Sequence, residues 1–515
     1  MNGQQSIEKL ETGIQGFDLV TNGGLPKGRT TLLAGTAGAA KTVFAVQFLV
    51  EGIRKSGEAG VFITFEESPA DIRENMLGFG WDIAKFEAEG KFAFVDASPD
   101  PGEETVIAGS YDMGALVARI EHAVKRVGAK RLSMDSLGAI FTQFSDASIV
   151  RSELFRVAQA LKQMRVTALL TAERNNEYGE IARFGVEEFV ADNVIILRNV
   201  LEAEKRRRTM EVLKFRGTDH QKGEFPFTVL SGEGVIAIPL SAIELSQESS
   251  DTRITTGSVE LDGMCEGGFF RDSIVLVSGA TGTGKTLTVT QFLKGGFARG
   301  ERCLLFAFEE SQGQLSRNAT GWGVDYAEAQ KQGLLRVNCC YPETASLEDH
   351  LIEMKKVINE FAPNRIAVDS LSALERVSSV KSFREFVLGL TSFIKTKQIA
   401  GLFTSVTPTL MGGTSVTETH ISTITDSIIL LRYVEMYGEM RRGITVLKMR
   451  GSNHDKQIRE YMIDSNGMHI GAPFRNITGI LSGAQQHLGH DEVNRLEELF
   501  TEQGAAVSIG EPVRL

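Results

Sequence analysis

One order of blocks occurs twice along this chain. GTAGAAKT (Gly35 to Thr42) is followed by VFITFEES (Val61 to Ser68), RLSMDSL (Arg131 to Leu137), ADNVIILR (Ala191 to Arg198) and EVLKFRGT (Glu211 to Thr218). GATGTGKT (Gly279 to Thr286) is followed by LLFAFEES (Leu304 to Ser311), RIAVDSL (Arg365 to Leu371), TDSIILLR (Thr425 to Arg432) and TVLKMRGS (Thr445 to Ser452). The loop lysines Lys41 and Lys285 stand 285 − 41 = 244 residues apart. So many blocks in register are not chance. The chain is a tandem duplication of a domain of about 240 residues, and its 515 residues are too many for one ordinary core.

Each repeat alternates apolar strands with amphipathic helices. TTLLAG and SIVLVSG read as buried strands entering the loops. VFAVQFLVEGIRKSG and LTVTQFLKGGFARG read as the helices that follow, closed by glycine. Strands separated by helices predict an α/β fold, a mostly parallel sheet with helices on both faces. The expected domains are 1–240 and 254–483. A polar linker, SAIELSQESSDTR, covers 241–253, and a tail covers 484–515. In the tail, Val493, Leu496, Leu499 and Phe500 recur at helical spacing, as for a short amphipathic helix.

No apolar run approaches the roughly 18 residues that span a membrane, and the N-terminus is polar. The four cysteines (Cys265, Cys303, Cys339, Cys340) show no metal or disulfide spacing. A cytoplasmic protein with free thiols is expected. The net charge of −11 argues against a dedicated nucleic-acid binder.

The phosphate-loop pattern is G-x-x-x-x-G-K-[ST]. The second copy matches it fully through Gly279, Thr281, Gly282, Thr283, Gly284, Lys285 and Thr286. Backbone N–H groups there cradle phosphate oxygens, Lys285 reaches the β- and γ-phosphates, and Thr286 ligates Mg²⁺. The first copy, Gly35, Thr36, Ala37, Gly38, Ala39, Ala40, Lys41 and Thr42, departs only at Ala40. Lys41 and Thr42 are assigned the same roles. A methyl at position 40 removes no N–H donor, and a helical φ is expected there.

The pairs Glu66–Glu67 and Glu309–Glu310 follow apolar strands, where a carboxylate can orient or deprotonate an attacking water or hydroxyl. Asp135 and Asp369 end strands and read as acids near Mg²⁺, or as helix N-caps. Lys214/Arg216 and Lys448/Arg450 read as neighbours on one strand face, the charge-stabilising fingers of an adjoining subunit. One segment breaks the symmetry. With Asp192 and Asp426 aligned, Ser422 faces Glu188 and Thr423 faces Phe189. Eight hydroxyl residues fall between Thr414 and Ser427. The second domain thus carries candidate phosphoacceptors where the first carries a carboxylate.

The tandem loops, F-E-E-S in both halves, and HISTITDSIILLRYVE followed by KMRGSNHDK together resemble the KaiC family of circadian clock proteins from Leu10 to Gly483. The resemblance implies two RecA-like P-loop domains in a homohexameric double ring, with ATP between subunits in both tiers. It implies a slow ATPase in the first tier, with Glu66 and Glu67 catalytic. It implies an autokinase and autophosphatase in the second, with Glu309 and Glu310 catalytic and Ser422 and Thr423 phosphorylated. Thr417 matches a further phosphorylatable threonine. Trp322 joins the ATP-binding set, and Lys214, Arg216, Lys448 and Arg450 reach ATP from the neighbour. A KaiB-like partner is implied, and a KaiA-like partner would use the tail. Two other readings stand beside this one. A RecA- or RadA-like DNA-dependent ATPase would need a basic DNA-binding module. A nucleotide-binding scaffold with little turnover is what Ala40 favours.

Overall fold

The computed structural model describes residues 7–98, 113–138, 147–182, 188, 191–202, 205–239, 249–407, 421–475, 477–481 and 486–487. The chain divides into two compact units, Met1–Glu244 and Leu245–Leu515. The expected tail helix and Thr417 lie outside the described residues.

The first unit holds a nine-stranded sheet. Its strands are β1 (Thr30–Gly35), β2 (Gly60–Thr64), β3 (Phe92–Asp96), β4 (Arg131–Asp135), β5 (Thr167–Glu173), β6 (Asn193–Glu202), β7 (Lys205–Phe215), β8 (Glu224–Leu230) and β9 (Gly234–Ala237). The second unit repeats them as β10 (Ile274–Gly279), β11 (Cys303–Ala307), β12 (Leu335–Cys339), β13 (Arg365–Asp369), β14 (Ala400–Val406), β15 (Ser427–Met436), β16 (Glu439–Met449), β17 (Arg459–Asp464) and β18 (Gly467–Pro473). The orders coincide: β3-β2-β4-β5-β1-β6-β7-β8-β9 and β12-β11-β13-β14-β10-β15-β16-β17-β18. The first six strands of each order run parallel, and the last three are added by successive antiparallel pairings.

Residue alternation along β1 explains the two layers of helices. Leu33 joins an apolar cluster with Phe44 and Phe48 of helix α1 (Lys41–Glu51). Leu32, its neighbour on the pleat, joins a cluster with Leu116 and Ile120 of α2 (Met113–Val127) and Leu154 and Leu161 of α3 (Ala147–Gln163). Successive side chains of a strand point to opposite faces, so the sheet is covered on both. In the second unit Val275 and Val277 pack with Phe292 and Leu293 of α4 (Lys285–Phe297). The strand β10 stands at the centre of its sheet and ends at Gly279, so the phosphate loop leaves from the middle of the parallel edge.

Candidate nucleotide sites

Each loop wraps around its own lysine. The Lys41 ammonium donates to the carbonyls of Gly35 (2.9 Å) and Thr36 (3.0 Å). The Lys285 ammonium donates to Gly279 (2.9 Å) and Ala280 (2.8 Å). Burial lowers both lysine pKa values, offset in part by nearby carboxylates. An anion at the loop would relieve that cost.

The last loop residue before each lysine is left-handed. Gly284 has φ 93 and Ala40 has φ 68. This corrects the expected helical φ at Ala40. The loop must reverse direction while its N–H groups converge, and that geometry overrides alanine's preference, at a cost of roughly 1 kcal/mol. The Ala40 methyl packs against the first core. A methyl built at Gly284 would instead meet Ile463 Cδ1 at 2.9 Å.

The strand-end aspartates are bound alike. Thr42 Oγ1 donates to Asp135 (2.6 Å) and Thr286 Oγ1 to Asp369 (2.7 Å). Thr171 and Thr404 donate to the second oxygen of each. The N-cap alternative fails for Asp369: Ser370 precedes the helix Leu371–Arg376, with no side-chain cap bond. A threonine hydroxyl beside a carboxylate is a hard-oxygen pair that suits Mg²⁺, which keeps several waters and phosphate oxygens of its own. Among the described residues, no group of three or more Asp, Glu, His or Cys could hold a metal without such help.

In the second unit a cavity of about 370 Å³ is lined by Thr281, Gly282, Gly284, Lys285, Thr286, Glu309, Glu310, Trp322, Asp369 and Val406, among others. Glu309 accepts from Ser370 (3.1 Å) and from Arg376. Glu310 accepts from Asn318 (3.1 Å). Burial, then the charge of Asp369, raises the Glu310 carboxyl above its ordinary value. Burial leads again for Glu66 and Glu67. Glu66 is raised further by the charges of Glu173 and Asp135, and Glu67 by those of Asp135 and Asp71.

The basic pairs and the candidate acceptors lie elsewhere. Lys448 pairs with Ile428 and Met449 with Ser427, while the loop end Gly279 pairs with Leu431. Ser422 and Thr423 form a 3-10 turn just before β15. Ser427 pairs with Val275, four residues before Gly279, which is about 13 Å along a strand. Phosphate loop and candidate acceptors therefore occupy opposite edges of one sheet. Lys448 donates to Thr425 O (2.7 Å) and Arg450 to Thr423 O (2.8 Å). In the first unit Lys214 donates to Glu188 O and Ala191 O, both at 2.8 Å, and Arg216 pairs with Asp192 at 3.8 Å. Arg216 and Arg450 do not share a strand with their lysines. β7 and β16 stop one residue earlier, because Gly217 (φ 74) and Gly451 (φ 72) turn the chain.

Sequence reasoning passed over Glu173 and Glu177. Glu177 accepts from Thr36 Oγ1 (2.6 Å) and from the N–H of Asn199 (2.9 Å), tying the first loop to β6. Only the ordering of the strands, unknown from one sequence, places these residues at the loop. A cis peptide follows both Asp135 and Asp369, and no sequence signal marked it. All four cysteines are free thiols, Cys265 and Cys303 buried and pushed up to about 12 by that burial. Among the described residues no helix is long and apolar enough to cross a membrane.

Comparison with known proteins bears on the whole chain. The family model described as KaiC ATPase matches residues 10–242 and again 254–474. The circadian clock protein KaiC3 of Synechocystis is 69% identical over 497 residues, covering 96% of this chain and 98% of that protein. The circadian clock oscillator protein KaiC of Thermostichus vulcanus is 55% identical over 494 residues, 96% and 95% of the two chains. That of Synechococcus elongatus is 53% identical over 495 residues, again 96% and 95%.

Proposed function

The chain belongs to the KaiC family of ATPases, with two tandem RecA-like domains, and from that premise we propose that it is a hexameric autokinase, autophosphatase and ATPase acting in a timing system. Both loops bind Mg·ATP. The first domain hydrolyses it, and the second transfers its γ-phosphoryl group to Ser422 and Thr423, with Thr417 as a further acceptor.

The observation that carries this reading is the separation of donor and acceptor within one chain. The loop, Glu309, Glu310 and Asp369 stand at one edge of the second sheet. Ser422, Thr423, Lys448 and Arg450 stand at the other. A gap of about 13 Å along the strands is too wide for phosphoryl transfer. A second copy, set edge to edge, brings both halves together, and repetition of that head-to-tail contact closes a ring.

At such a boundary Lys285 and the loop N–H groups hold the β- and γ-phosphates. Thr286 and Asp369 would hold Mg²⁺, which supplies charge neutralisation of the phosphate oxygens when bound. Glu309 and Glu310 orient the acceptor hydroxyl and take its proton. Lys448 and Arg450 of the adjoining copy stabilise charge on the transferring group. Glu66, Glu67, Thr42, Asp135, Lys214 and Arg216 hold the corresponding places in the first domain. A KaiB-like protein is the expected partner.

The test is phosphosite mapping after incubation with Mg·ATP. Phosphate on Ser422 and Thr423, together with released ADP, is the expected result. ADP without phosphoprotein would leave an ATPase and remove the kinase. Salt-dependent binding to single-stranded DNA would favour a DNA-dependent motor instead.

A further inference from the structure

The two sites differ at the strand end that lies beside the start of each loop. Thr171 of β5 and Thr404 of β14 each donate to the strand-end aspartate of their own site. Two residues on, and so on the same face and closer to the loop edge, come Glu173 and Val406. The register confirms the match. Glu173 pairs with Gly35 and Val406 with Gly279, the first residue of each loop. Each is half-buried at its strand end. Val406 lines the second nucleotide cavity beside Glu309, Glu310 and Asp369. Glu173 holds that place in the first site, and its charge acts on both Lys41 and Glu66.

Resting on the reading that both loops hold ATP, we propose that Glu173 is a positioning residue that holds the attacking water in the first site, while Val406 keeps the second site selective for a hydroxyl acceptor. A water molecule has two protons to place. In the first site the water oxygen bonds to the γ-phosphorus, and the bond from that phosphorus to the β,γ-bridging oxygen breaks, leaving ADP. One water proton passes to Glu66, and the other is held by the Glu173 carboxylate, which fixes the lone pair on line. In the second site the same wall is an isopropyl group. It offers water no acceptor, whereas a serine or threonine hydroxyl has one proton and needs only the Glu309–Glu310 pair.

The experiment uses the full-length chain with two readouts, ADP release and phosphate on Ser422 and Thr423. Glu173→Val lowers kcat for ADP release by about tenfold or more, with KM unchanged. Glu173→Gln, whose amide still accepts a hydrogen bond, recovers part of that loss. Val406→Glu raises ADP release and lowers phosphoprotein. The proposal is overturned if Glu173→Val turns over within about twofold of the parent, or if it raises KM at unchanged kcat, which would make Glu173 a ground-state ligand. It is equally overturned if Val406→Glu leaves the partition between ADP and phosphoprotein where it was. A parent that releases no ADP overturns the reading of the first site as a hydrolase, and this inference with it. A parent that turns over alongside an unaffected Glu173→Val overturns the inference alone.

Discussion

Ala40 adopts φ 68, a conformation that costs an alanine roughly 1 kcal/mol and a glycine almost nothing. Its methyl packs against the edge of the first core, so Ala40→Gly gives up one partly buried methyl contact while it relieves the backbone. The variant should gain up to about 1 kcal/mol, a rise of roughly 2 °C in the melting of a domain this size. A melting point below the parent's would show that the methyl's packing outweighs the backbone strain. Glu310 makes a second prediction at this scale. Burial, then the Asp369 charge, raises its carboxyl in the folded chain. A raised carboxyl contributes stability that is complete below the unfolded pKa of about 4.3 and is lost as pH rises through the folded value. Glu310→Gln removes the charge that burial penalises. It should therefore melt above the parent at pH 8, by a margin that shrinks as pH falls toward about 5, while phosphorylation drops about 100-fold. Equal margins at pH 8 and pH 5 would refute the assignment of a raised carboxyl.

At the scale of elements, the hairpin β15–β16 matters most. Its antiparallel return carries Lys448 back to the edge where β10 begins, away from the loop where β10 ends. In the proposed ring, one chain's hairpin serves another chain's loop. Chains carrying Lys448→Ala and chains carrying Glu309→Gln are each defective at the boundary they share with their own kind. Mixed, they form some boundaries with an intact Glu309 on one side and an intact Lys448 on the other. Phosphorylation should reappear on mixing, in the fraction of boundaries so composed. If no ratio of the two restores it, the shared site is wrong.

At the scale of the molecule, the two units have the same strand order and each has its own apolar core and loop. Lys285→Ala removes the ammonium that two loop carbonyls hold in place for phosphate. Phosphorylation of Ser422 and Thr423 should vanish, and ADP release should fall only by the second domain's share. ADP release lost entirely would show that the first domain works only when the second is charged with nucleotide. Assembly is a separate measurement. The ATP-bound parent should elute as a hexamer in size-exclusion chromatography with light scattering, and a monomer at millimolar ATP would falsify the ring.

The duplication, the parallel α/β sheets and both phosphate loops were legible in the linear chain. Each rests on local pattern: alternating apolar strands and helices, glycine spacing, and blocks recurring in order. The placement of Thr42 and Thr286 in the first turn of the helix after each loop was legible for the same reason, since loop and helix start are contiguous. The φ of Ala40 was not. Its intrinsic preference is helical, and the curvature of the whole loop decides against it. Nor was the pairing of Glu173 and Val406 with the two loops. That depends on β5 and β14 lying directly beside β1 and β10, although about 130 residues of sequence separate the strands of each pair. The separation of Ser422 and Thr423 from the loop was equally hidden, because it follows from strand direction and register. Sequence distance carries neither. Hydrogen bonding between strands sets both, and it exists only once the sheet has formed.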